Sequence, residues 1–60
     1  MYYCVLDERK DIVGIFCSLS RAIKYADKFN DTDTIVGFTE DELNAYLRHE
    51  IKITSKYTID

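Results

Sequence analysis

The sequence predicts a small α+β domain with elements in the order β-β-α-β-α-β and helices packed on one face of a mainly antiparallel sheet. Three observations lead there. Two apolar runs, 2–6 and 12–17, flank the wholly charged Asp7-Glu8-Arg9-Lys10-Asp11, as hairpin strands flank their turn. After Ser18 the apolar residues fall at 19, 22, 23, 26 and 29, the spacing of a helix with one buried stripe. Further on, Thr39-Glu40-Asp41-Glu42 reads as a capping box at the start of a second helix.

In chain order, the hairpin comes first. The turn lacks Asn-Gly or Asp-Gly, which excludes the tightest two-residue form and calls for a longer loop. A turn centred on Arg9 sets Val5 opposite Val13 and Tyr3 opposite Ile15. Cys4 and Cys17 then point to opposite faces and read as two small buried apolar residues rather than a disulfide. Both hairpin faces are apolar: Tyr3, Val5, Val13 and Ile15 on one, Cys4, Leu6, Ile12 and Phe16 on the other. A sheet with one wet face would alternate apolar with polar, so each face here needs a cover. Helices supply one cover, and a second copy of the chain is the expected other.

Ser18 suits the N-cap of the first helix, although Arg21 stands where a capping box would place Glu. Asn30 to Thr34 forms a polar connection, and Ile35 to Phe38 reads as a short third strand. The second helix carries Leu43, Tyr46 and Leu47 on one stripe and should end near His49 or Glu50. Beyond it, Ile51, Ile53, Ser55, Tyr57 and Ile59 alternate with Lys52, Thr54, Lys56 and Thr58, which predicts a half-exposed edge strand.

Composition narrows the function classes. Sixty residues make one domain, 1–60, small enough that stability is marginal without a disulfide, metal or partner. Forty-seven percent apolar residues, with five tyrosines and three phenylalanines, suffice for a core. A net charge of −3 disfavours a general nucleic-acid binder. The N-terminus lacks a basic leader segment and no apolar run approaches the ~20 residues of a membrane span. The expectation is a protein of the cytoplasm, without membrane contact.

Chemistry is sparse. There is no Gly-rich phosphate loop and no nucleophile with an evident base, and a single histidine with two cysteines makes no metal-ligand spacing. Asp31 and Asp33 lack the other ligands and the glycine of a calcium loop. Glu40 and Glu42 are explained by the helix cap, and His49 by a last helical turn. The chain is therefore expected to be no enzyme, with no cofactor and no metal. What remains is surface. Asp31, Asp33, Glu40, Asp41 and Glu42 gather acids, while Arg21, Lys24 and Lys28 gather cations just before them, a separation suited to steered association. With Tyr25 and Tyr46, those three cations form the expected binding residues. Tyr2, Cys4, Phe16, Tyr57 and Ile59 form the expected homodimer interface, through the open sheet face or the C-terminal strand.

The run Tyr3-Cys4-Val5-Leu6, the charged turn, and Ile12-Val13-Gly14-Ile15-Phe16-Cys17-Ser18-Leu19-Ser20-Arg21-Ala22 resembles a group of small proteins encoded by bacteriophages and mobile elements. Their hairpin ends in a V-G-x-F-x-S phrase and leads into a helix containing K-A-x-x-Y-A, of which Ala22-Ile23-Lys24-Tyr25-Ala26 keeps part. The likeness covers the first half of the chain. Cys17 departs from a frequent serine and Arg21 from a frequent acid. Small phage proteins of this size include inhibitors of host enzymes and anti-defence proteins, such as those that block Thoeris, Gabija or Hachiman systems. The resemblance implies an inhibitor that binds a bacterial protein in the host cytoplasm, and it carries over no site residues. The alternative is an acidic DNA mimic or nucleic-acid-linked regulator, and a structural phage component is a third.

Overall fold

The computed structural model describes residues 1–28 and 32–59. It contains strands β1 (Tyr2–Asp7), β2 (Ile12–Phe16) and β3 (Thr32–Phe38) and helices α1 (Leu19–Lys28) and α2 (Glu40–Leu47), in the order β-β-α-β-α. The sheet is antiparallel with β1 in the centre, order β2-β1-β3. Asn30 and Asp31, at the start of the expected connection, lie outside the described residues.

The hairpin closes by a three-residue loop. Lys10 N donates to Asp7 O at 2.9 Å and Asp7 N to Asp11 O at 3.0 Å. The Asp7 carboxylate braces the turn by accepting from the amides of Arg9 and Asp11. Such a loop needs a left-handed residue before the second strand, and Lys10 fills that place with φ 68°. The register differs from expectation. Tyr3 faces Phe16 and Val5 faces Gly14, but Leu6 faces Ile12, so Val13 is the extra residue of a bulge.

Because β2 and β3 are both antiparallel to β1, they run parallel to each other on either side of it. The connection between them must cross the sheet, and α1 makes that crossing. Strand alternation shows which face it takes. A Cβ built on Gly14 would approach Phe16 Cε2 to 2.8 Å and Tyr25 Cε1 to 3.4 Å. Tyr25 packs on Phe16 with ring centroids 5.3 Å apart, and its hydroxyl donates to Val13 O at 3.1 Å. Val5 and Ala22 are fully buried. So α1 covers the face of Val5, Gly14 and Phe16.

On the opposite face, Cys4 lies across from Val36 and Tyr2 from Phe38. Cys4, Leu6, Val36, Phe38 and Leu43 form the main core, with Tyr46, Ile51, Ile53 and Tyr57 packed against it. Phe38 meets Tyr46 at 5.4 Å and Tyr57 at 5.2 Å. This face therefore belongs to α2 and the tail. The helices sit on opposite faces, not on one as the sequence suggested, because the crossing helix already fills the first. Each face thus carries a layer from the chain itself, while Ile15 and Val13 on β2 stay 47% and 39% exposed.

Two further expectations change. The C-terminal strand reduces to one bridge, Val36 with Thr58, held by Gly37 N to Tyr57 O and Ile59 N to Ile35 O, both 2.9 Å. Residues 55–57 form a turn instead, with Tyr57 N donating to Thr54 O. Gly37 admits this approach, since a Cβ there would lie 3.1 Å from Met1 Sδ and 3.2 Å from Ile59 Cδ1. Cys17, expected to be buried, is exposed just past the end of β2, while Cys4 is buried and both thiols are free.

Candidate functional site

The expected binding residues separate into two places. Arg21, Lys24 and Lys28 are exposed on α1. Tyr25 is on the same helix but turned inward onto Phe16 and the Val13 carbonyl. Tyr46 is on the far side of the sheet, stacked on Phe38 with its hydroxyl donating to Lys10 O. The fold does not bring these five together. Of the residues expected at a dimer interface, Tyr2, Phe16, Tyr57 and Ile59 are half-buried. Cys4 is fully buried within its own chain, which leaves it no surface for a second copy.

What the fold does assemble is an open cleft of about 770 Å³ beside α2. The hairpin loop contributes Arg9, Lys10, Asp11 and Ile12, the end of α2 contributes Tyr46, Leu47 and His49, and the tail contributes Ile51, Lys52 and Ile53. Ile12, Ile51 and Ile53 are half-buried and pack toward the core, so they make an apolar floor. Leu47, expected on the buried stripe of α2, is 56% exposed and forms part of the wall. Arg9, Lys10 and Lys52 set three cations around that floor against the single carboxylate of Asp11. In a chain of net charge −3 this is a local reversal of sign.

Each wall is fixed by local chemistry. The N-terminus of α2 carries the expected capping box: Thr39 Oγ1 accepts from Glu42 N at 3.3 Å and Glu42 Oε1 from Thr39 N at 2.8 Å. Its other end closes as a Schellman motif. His49 N donates to Tyr46 O at 3.0 Å and Glu50 N to Ala45 O at 2.8 Å, with His49 left-handed at φ 62°. Glycine is the usual occupant of that position, as it is of the position Lys10 takes in the hairpin. Lys10 and His49 are the only non-glycine residues with positive φ among those described, and both line the cleft. Tyr46 ties the two walls through its bond to Lys10 O. Burial, and secondarily the Asp11 carboxylate, raise its phenol above the ordinary tyrosine range. The Lys10 ammonium reaches Thr34 Oγ1 at 3.4 Å.

Elsewhere the chemistry is quiet. Burial pushes the Cys4 thiol up to about 11, so it is held as a neutral core group. Arg48 pairs with Glu50 at 3.2 Å, but both side chains are more than half exposed and the pair contributes little. Among the described residues no three His, Cys, Asp or Glu side chains gather to hold a metal. Likewise, no helix is long and apolar enough to cross a membrane.

Sequence reasoning missed Arg9, Lys10, Asp11, Ile12, His49, Ile51, Lys52 and Ile53 as one site. The available signal was the absence of glycine at two positions, the hairpin's last loop residue and the first residue past α2, where the backbone calls for it. Comparison of the chain with protein families, curated proteins and solved structures finds no match.

Proposed function

We propose that this chain is a small protein-binding module of the phage inhibitor type, which acts by covering part of a bacterial protein. The observation that carries this reading is the cleft beside α2, where an apolar floor and the exposed Leu47 face solvent between two braced walls. Such a surface suits a partner's side chains, and a few well-packed, desolvated anchors carry most of the energy in protein interfaces. The resemblance of the hairpin and α1 to small phage proteins supports the inhibitor class. Affinity capture from bacterial lysate tests it, with wild type beside Leu47→Asp and beside the double variant Arg21→Glu/Lys24→Glu. The expected result is a protein retained by wild type and by the α1 variant but lost from Leu47→Asp, whose circular dichroism stays native. A partner lost only from the α1 variant, or retained equally by all three, would overturn the assignment to the cleft.

A further inference from the structure

We infer that the occupant of the cleft is an acidic segment of the partner carrying aliphatic anchors, an inference that rests on the protein-binding reading above. Charge is the first reason. Arg9, Lys10 and Lys52 stand around the apolar floor beside the Asp11 carboxylate, while the chain as a whole is acidic. Distributed acidity repels most acidic partners, and cations set beside an apolar floor, unlike those on α1, select both place and orientation. A basic helix or a nucleic-acid backbone does not fit this pairing of an apolar floor with a cationic rim.

The second reason is backbone geometry. Left-handed backbone at a non-glycine residue is unfavourable and persists where the surroundings impose it. Here it occurs twice, at Lys10 and His49, and both residues line the same cleft. Glycine at either position would relax the backbone but remove a polar group from the rim. A third reason is order. Tyr46 joins α2 to the hairpin loop through Lys10 O, and the Asp7 carboxylate holds the loop from within. The walls are therefore set before a ligand arrives, which lowers the ordering loss on binding.

Fluorescence anisotropy with a short labelled peptide of glutamates and leucines tests this, beside a version with glutamine for glutamate and another with lysine. The glutamate peptide is expected to bind about tenfold more tightly than the glutamine peptide, the sum of a few exposed ion pairs, and added salt should erase the difference. The lysine peptide should not bind. Lys52→Glu should reduce affinity for the glutamate peptide and leave the glutamine peptide unchanged. Lys10→Gly should raise the melting temperature while weakening glutamate-peptide binding, which separates a loss of function from a loss of fold. Equal binding of the glutamate and glutamine peptides, or displacement of the peptide by a simple fatty-acid anion, would overturn the inference. If no peptide binds while Leu47-dependent capture from lysate holds, the acidic occupant is wrong and the protein-binding reading stands. If capture also fails, both fall.

Discussion

The two faces of the sheet are covered by unlike layers. Under α1 small groups make room for one aromatic pair: Ala22 is fully buried and Gly14 leaves space for the Phe16 and Tyr25 rings. Under α2 and the tail the filling is large, with Phe38 buried between Tyr46 and Tyr57 above Cys4 and Leu6. A layer built from a short helix and an irregular tail leaves a gap at its margin, and the cleft is that gap. Stability is thus shared by both faces, and the cleft lies on the α2 face.

Substitutions should divide along the same line. The largest effect is expected from Phe38→Ala, about 3–5 kcal/mol by denaturant unfolding, enough to unfold a chain of this length. A loss no larger than that of a surface substitution would contradict the large-group filling of the α2 face. Next comes the buried thiol. Cys4 ionises in the unfolded chain near its ordinary value of 9.0, but in the fold only at about 11. Its raised value means the stabilisation is complete below the unfolded value and is lost as pH rises through the folded one. About 2–3 kcal/mol should therefore disappear across that alkaline window, and Cys4→Ala should flatten the slope. The same contrast appears in thiol labelling at neutral pH, where exposed Cys17 should react promptly and Cys4 only on unfolding.

On the α1 face the sensitive direction is enlargement. Ala22→Leu should cost about 1–3 kcal/mol by overpacking, read as a lower denaturation midpoint. If it is tolerated, α1 is not seated as closely as its buried Ala22 implies. The smallest shift, and one of opposite sign, is expected at the margin of the α2 face. His49→Gly should stabilise by about 0.5–1 kcal/mol, since glycine adopts the Schellman position without strain. A destabilising result there would mean the imidazole makes a contact that offsets the left-handed backbone.

Much of this architecture was legible in the residues. The two hairpin strands, both helices and β3 follow from apolar period, and the Thr39–Glu42 cap was readable because all its partners lie within one turn of chain. Where residues far apart decide the outcome, legibility failed. Alternation from Ile51 to Ile59 identified side chains that turn inward, since Ile51, Ile53, Tyr57 and Ile59 are half-buried and Lys52, Thr54, Lys56 and Thr58 exposed. It did not identify a strand, because a ladder also needs a long free edge and the tail meets β3 at one bridge. Similarly, two apolar sheet faces suggested a second copy as cover, and only the crossing path of α1 revealed that the chain sets a layer of its own on each, leaving Ile15 and Val13 exposed. The cation strip on α1 was visible because its members share a helix. Arg9, Lys10 and Lys52 looked like a turn and an edge until the tail folded back beside the hairpin loop.

The most direct test of the claim that binding belongs to the α2 face is an amide-resolved NMR titration of the intact chain with the glutamate–leucine peptide. Shifts should concentrate at Arg9 to Ile12 and from Tyr46 to Ile53, with the amides of α1 unmoved. Shifts confined to α1 around Arg21, Lys24 and Lys28 would contradict it and return the binding surface to the α1 side of the molecule.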